Sequence, residues 1–262
     1  MMRSLWTAAT GMAAQTTNVD VIANNLANVN TAGFKRGRAN FQDLMYQQVK
    51  SPGAEASASG TQLPSGIQVG LGVKTASIEY VFSEGSFQQT NNPLDIAIQG
   101  RGFFQIQLPN GETGYTRAGS FSRDAQGQLV TANGNAVLPN ITFPSDALSI
   151  NIGQDGTVSV EQPGSLSTVV GQLQTVDFSN PSGLMHLGNS IFQSSNASGE
   201  PLTGIPSENG YGGLGQGMIE MSNVNMVDEM VNLIAAQRAY EMNSKSVQAA
   251  DEMLQNANGL KR

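Results

Sequence analysis

Leu5, Met12, Val19 and Leu26 recur every seventh residue near the start of the chain, with Ala9, Thr16 and Ala23 between them at alternating offsets of four and three. Near the other end the spacing returns in Met226, Leu233, Tyr240, Val247 and Leu254, with Ala236, Asn243, Ala250 and Ala257 as a companion row. A heptad repeat keeps a narrow apolar stripe on one side of a long helix. Such a helix has little stability alone and must bury its stripe against another helix, either the one from the far end or one from a second subunit. The pattern predicts a first helix from about Ser4 to Asn30, stopped at Thr31-Ala32-Gly33 with Gly33 in the left-handed position, and roughly 40 Å long. The second is predicted from Asn225 as N-cap, with Asp228 and Glu229 in its first turn, to about Asn258, roughly 50 Å. Asn24, Asn25 and Asn28 are poor helix formers at the end of the first stripe. They read as a frayed end or as amides that fix register between packed chains.

Between the stripes the pattern changes. Residues 46–66 lose periodicity in a small, polar, breaker-rich run that includes Pro52, Gly53 and Pro64. A stretch this long without structure does not belong inside a compact domain, so it reads as an extended arm. From 67 to 216 short runs alternate in period two: Ile67 to Val73, Ile78 to Phe82, Leu94 to Ile98, Phe103 to Leu108, Ile150 to Ile152, Val158 to Val160 and Leu173 to Val176. Asn110-Gly111, Gln126-Gly127, Asn133-Gly134 and Asp155-Gly156 lie between them and supply the positive φ that hairpins need. The expected fold is α+β. Residues 1–45 and 217–262 form a discontinuous helical inner domain paired like a coiled coil, 46–66 an arm, and 67–216 a central all-β domain of short antiparallel strands able to fold alone.

Charged residues are only 13% of the chain, about half the usual share. Residues 46–216 hold five basic and twelve acidic side chains, so the negative charge is concentrated in the middle. No basic stripe recommends a nucleic-acid partner. With no Cys and one His, His186, neither thiolate chemistry nor a metal cluster has the material it needs. No apolar run reaches the length of a membrane span. The start of the chain resembles a weak signal peptide, but its heptad continues through any plausible cleavage point. Lys35, Arg36 and Arg38 form a small basic cluster that reads as a solvated face.

Motifs of catalysis are scarce. Gly210 to Gly215 fits G-x-G-x-x-G, but no buried strand is predicted before it, no helix opens from it, and Ala235 stands where the acidic residue belongs. A flexible connector is the better reading. Acidic pairs such as Glu79 with Asp95, or Asp124 with Asp155, fall among turns. No G-x-S-x-G or H-E-x-x-H occurs. The expectation is a non-enzyme with no cofactor, no metal and no catalytic residues. Met226, Met230, Met242 and Met253 on the last helix read as bundle packing rather than as an adaptable groove.

Ala23 to Lys35, with Asn24-Asn25-Leu26-Ala27-Asn28 at its centre, resembles the N-terminal signature of the bacterial flagellar rod and hook family. Ser222 to Asn225, Glu229 to Ile234 and Gln237 to Lys245 are similar to its C-terminal signature, and Asn92 to Phe104 and Tyr115 to Phe121 to its central segments. Within the family, length and the stretch Tyr46 to Gly66 look like a rod member rather than a hook member. The resemblance implies a subunit exported through the flagellum's own type III channel without cleavage. It implies a homo-polymer forming a tubular shaft across the periplasm that carries torque and serves as export channel. The implied partners are proximal rod subunits, hook subunits and the ring bushing. It also implies termini that order only on assembly, through an interface of Leu5, Met12, Val19, Asn24, Asn25, Leu26, Asn28, Met226, Leu233, Tyr240, Val247 and Leu254. Another rod or hook subunit is the alternative within the family. A secreted β-rich adhesin or binding module with helical oligomerisation tails is the alternative outside it.

Overall fold

The computed structural model describes residues 2–52, 65–163 and 167–259. Two long helices flank a series of short strands, as expected, but the chain divides into two compact units at other places than its composition marks. One holds Met1–Leu26, Gly37–Glu79 and Met226–Arg262; the other holds Ala27–Arg36 and Tyr80–Asn225.

In the first unit, α1 covers Met2–Ala27 and α2 Met226–Gly259. The Thr7, Thr10, Thr16 and Thr17 hydroxyls donate back to carbonyls three or four residues earlier, which satisfies them on the helix surface. The start of α2 matches its sequence signal, with Asp228 and Glu229 placed against the positive end of the helix dipole. By contrast α1 stops three residues before Asn30. Asn28 turns the chain instead, its carbonyl accepting from Thr31 N.

The same unit contains β1 (Gly37–Asp43), β2 (Tyr46–Lys50), β3 (Ile67–Gly70) and β4 (Val73–Tyr80). β1 pairs with β4, and β2 pairs antiparallel with β3 around a bulge at Val49. The run Ile67 to Val73 is thus broken at Gly72, where φ is +120° and Thr10 lies where a Cβ would project. The first residues assigned to the arm are therefore a strand, and Gly66 sits so close to Pro52 that an added Cβ would come 2.7 Å from its Cδ. Gly53 and Pro64 lie outside the described residues.

In the second unit, the largest sheet runs Met185–Gly188, Ile191–Gln193, Thr113–Thr116, Phe103–Gln107, Thr175–Asp177, Leu202–Gly204, with Val137–Leu138 also on Phe103–Gln107; every pairing is antiparallel. Alternation along Phe103-Phe104-Gln105-Ile106 sends neighbouring residues to opposite faces. Phe103 enters an aromatic core with Tyr115, Phe178 and Phe192, while Phe104 and Ile106 enter an aliphatic one with Ile96, Leu129, Val158 and Leu214. Gly111, Gly127, Gly134 and Gly156 all take positive φ in the turns where the sequence placed them. Gly213–Gln216, read as connector, is a strand paired with Ile96–Gln99.

The residues just outside the two helices are built into this unit around a buried ion cluster. Lys35 is 1% exposed and Glu220 fully buried. Lys35 Nζ donates to Glu220 Oε1 at 2.6 Å and to the Ser83 carbonyl at 2.7 Å. From the other side Arg117 Nη1 donates to Glu220 Oε2 at 3.2 Å, and its Nη2 to the Gly100 carbonyl at 2.8 Å. Gly85 N donates to the same carboxylate, and Gly33 N to the Glu220 carbonyl. Gly33 is needed because a Cβ there would overlap the Ala118 backbone nitrogen. The solvated reading of Lys35 is corrected. Burial pulls its pKa below the usual lysine value, the Arg117 charge pulls the same way, and Glu220 opposes both.

Glu220→Gln would leave two buried cations without a counter-ion, and it is expected to cost about 3–5 kcal/mol. The check is urea unfolding of the full chain; a loss well under 1 kcal/mol would show that the carboxylate is dispensable. A cut at 67–216 removes Lys35 and Glu220 together, so it leaves Arg117 unpaired.

His186 stacks on Tyr80 at 3.6 Å between ring centroids and meets Phe192 edge-on at 4.6 Å. Cover by these two rings strips part of the hydration from the imidazole and lowers its pKa to about 4, although the residue stays exposed on its other side. The unfolded chain therefore takes up this proton first as pH falls from about 6.5, and the folded form loses stability down to about pH 4. His186→Gln should flatten the stability curve over that interval; an unchanged acid limb in urea titrations would refute the assignment.

Candidate assembly interface

Both helices of the first unit carry one buried face. On α2 it is the small companion row, continued one heptad back by Glu229: Ala236 and Ala250, like Glu229, are at most 3% exposed, and Asn243 is half-buried between them. Leu233, Val247 and Leu254 flank it half-buried, while Met226 and Tyr240 remain exposed. The side chain of Ala257 lies outside the described residues. Small residues on the buried row let another backbone approach, so the large row sits at its edge.

On α1 the arrangement differs from the sequence expectation. Leu5, Met12, Val19 and Leu26 are half-buried, but the companion row Ala9, Thr16 and Ala23 faces solvent. The buried residues are Ala8, Ala14, Ile22 and Asn25, on the other side of the large row. Positions 8, 15 and 22 hold the same heptad spacing as 9, 16 and 23, so periodicity alone does not choose between them.

Two contacts fix the relative direction of the helices. Asn25 Nδ2 donates to Glu229 Oε2 at 3.3 Å, and Asn243 lies over Gly11, where an added Cβ would be 2.9 Å from its Nδ2. The end of α1 thus meets the start of α2, and positions further back on α1 meet positions further on in α2. The contact is antiparallel. Asn25 also donates to the Gly37 carbonyl at 2.8 Å and accepts from Gly37 N at 2.9 Å. Its amide is engaged within its own unit. Asn28 Oδ1 accepts from Thr31 Oγ1 in the turn after α1, and Asn24 is exposed.

A second apolar surface, missed in the heptad reading, lies on α2. Met226, Val227, Met230, Val231 and Ile234 are 47–67% exposed. At 100° per residue they share an arc on the opposite side of the helix from Glu229, Ala236 and Ala250. Their spacing by three and four was visible in the sequence, but it merges with the heptad row at Met226 and Leu233. Arg238, Glu241 and Lys245 end the arc with charge. On β2 and β3, Val49, Ile67 and Val69 are also exposed, as is Pro52. Among the described residues no group of three or more His, Asp or Glu is placed to hold a metal ion, and no helix is long and apolar enough to cross a membrane. The geometry offers apolar contact surfaces.

Comparison with known proteins agrees from end to end. Residues 5–35 match the family described as "Flagella basal body rod protein", 97–160 "Flagellar hook protein FlgE/F/G D1 domain", and 216–260 "Flagellar basal body rod FlgEFG protein C-terminal". The chain belongs to the flagellar hook and basal-body rod family. It is 50% identical to the flagellar basal-body rod protein FlgG of Borreliella burgdorferi over the whole of both chains. It is 50% identical to that of Buchnera aphidicola from Schizaphis graminum over 97% of this chain and 98% of the relative, and 40% identical to that of Bacillus subtilis over all of both. Within the family it is a structural subunit of the distal rod of the basal body.

Ala236→Leu should force a large side chain into the buried row and destabilise the helix pair by about 1–3 kcal/mol, whereas Ala235→Leu on the exposed side should stay within about 0.5 kcal/mol. Urea-induced loss of helical circular dichroism in assembled protein tests this. Equal effects would place the buried face elsewhere.

Proposed function

We propose that the subunit polymerises through its terminal helices into a straight tubular shaft that crosses the periplasm, transmits motor torque to the hook and encloses the export channel. The observation that carries this reading is the exposed arc from Met226 to Ile234 on a helix whose other side is already buried. Apolar surface of this kind on both sides of one helix needs a second cover, and helical polymerisation supplies it by repeating one contact between copies. The α1 and α2 helices pair in a coiled-coil manner within the inner domain, and the rows Leu5 to Leu26 and Met226 to Leu254 contribute its edge to neighbouring copies. The second unit, Ala27–Arg36 with Tyr80–Asn225, is the β unit and forms the outer domain, turning inside the ring bushing. Proximal rod and hook subunits join at the two ends, and export proceeds through the type III channel without cleavage. The names of the relatives, rod proteins matching over nearly the whole chain, support this assignment.

Leu26→Lys and Leu233→Lys, and equally Val231→Lys, should block tube formation while leaving the melting of the β unit unchanged. Normal tubes by electron microscopy from any of them would remove that residue from the interface. Free subunits should also show little helix, because the stripes are uncovered. Strong helicity in a solution that ultracentrifugation shows to be monomeric would count against assembly-coupled ordering.

Residues 46–66 act as the inter-subunit arm, with the β2–β3 ribbon as its base. Deleting Ser51 to Thr61 should change the bending stiffness or straightness of the filament more than the folding of the subunit. Filaments of unaltered shape would reject that role.

A further inference from the structure

Asn-Gly pairs stand at Asn110-Gly111, Asn133-Gly134 and Asn209-Gly210 in the β unit, and the structure places them in two different kinds of turn. In the first two the glycine is the closing residue: Gly111 N donates to the Leu108 carbonyl at 2.9 Å and Gly134 N to the Thr131 carbonyl at 2.9 Å. Asn110 is held further, its Nδ2 donating to Glu112 Oε2 at 2.7 Å and its Oδ1 accepting from Glu112 N at 3.1 Å. In the third, Tyr211 N closes the turn onto the Glu208 carbonyl at 2.9 Å. Asn209 and Gly210 are then the two central residues, at φ +50° and +86°. Both positive values define a type I′ turn. The central Gly210 N–H of such a turn points outward, and it has no hydrogen-bond partner among the described residues. All three asparagines are exposed and nothing lies within 4 Å of where a Cβ of any of the three glycines would stand, so the closing hydrogen bond is what separates Asn209 from the others.

We propose that Asn209 is a site of spontaneous modification by deamidation, and that Asn110 and Asn133 are protected from it by their turns. The Gly210 backbone nitrogen attacks Asn209 Cγ, forming a C–N bond. The side-chain nitrogen leaves as ammonia, carrying away the proton lost from the peptide N–H. Water then opens the resulting succinimide at either carbonyl, giving aspartate or isoaspartate at position 209. Either product places a new carboxylate beside Glu208, and isoaspartate also lengthens the backbone inside a turn whose next residue, Tyr211, donates its hydroxyl to the Leu202 carbonyl at 3.1 Å. At Gly111 and Gly134 the same attack first requires breaking the hydrogen bond that closes the turn. A bond of ordinary strength is worth about fivefold in rate.

The test is incubation of the full-length protein in mildly alkaline buffer, with peptide mass spectrometry following amide-to-acid conversion at each of the three asparagines. The expected result is conversion at Asn209 about fivefold or more faster than at Asn110 or Asn133, with the three rates converging in concentrated urea. Asn209→Gln should abolish conversion at this position without changing the other two. Conversion of Asn110 or Asn133 as fast as Asn209 in the folded protein overturns the proposal, as does a rate order that survives unchanged in urea. The outcome is independent of assembly, since the measurement is made on free subunits.

Discussion

A carboxylate between two buried cations is the interaction on which the β unit depends. Glu220 bonds Lys35 on one side and Arg117 on the other, with all three side chains at most 3% exposed. Burying charge is costly, and removing one partner of such a group is costlier than keeping all three. Carbonyls of Ser83, Ile98 and Gly100 accept further hydrogen bonds from the two cations, which spreads the excess positive charge over backbone dipoles, while Arg117 Nε is buried without a hydrogen-bond partner among the described residues. Arg117 also lies over the Phe103 ring at 5.5 Å from its centre, so the cluster is seated on the aromatic core. Lowering of the Lys35 pKa reports the same desolvation.

The segments that carry the family resemblance converge on this cluster. Lys35 closes the N-terminal signature, Arg117 lies within Tyr115 to Phe121, and Glu220 comes just before the C-terminal signature. Asn223 extends the join: its Oδ1 accepts from Arg36 N at 2.7 Å, and its Nδ2 donates to the Val81 carbonyl at 2.8 Å. Lys35 and Arg36, which read in sequence as part of a solvated cluster, and Asn223 are thus polar fittings of the β unit. Close approach explains the glycines there: a Cβ on Gly33 or Gly85 would meet backbone directly.

Local and periodic features were legible in the sequence; features made by partners distant along the chain were not. The start of α2, the positive-φ glycines of the hairpins and the alternation at Phe103 to Ile106 each follow from a few neighbouring residues. The small buried row of α2 was also readable. The buried side of α1 was not, because Ala8-Gln15-Ile22 and Ala9-Thr16-Ala23 satisfy one spacing and only the contacts of Asn25 and Gly11 decide between them. Lys35 read as solvated because its counter-ion lies 185 residues away. The same distance hid the division of the chain, since composition changes near residues 46 and 217 while the β unit takes in Ala27–Arg36 and continues to Asn225.

The placement of Glu220 late in the sequence has a consequence for the order of events in a chain that emerges from its N-terminus. Lys35 and Arg117 appear long before their shared carboxylate, and strand Met218–Glu220, which pairs with Phe87–Gln89, arrives with it. Contacts that bridge such separations form late, because the chain between their ends must first be closed. A partial chain therefore carries two cations that favour water over the core, and the β unit has a charge-based reason to remain open until nearly the whole polypeptide has been delivered.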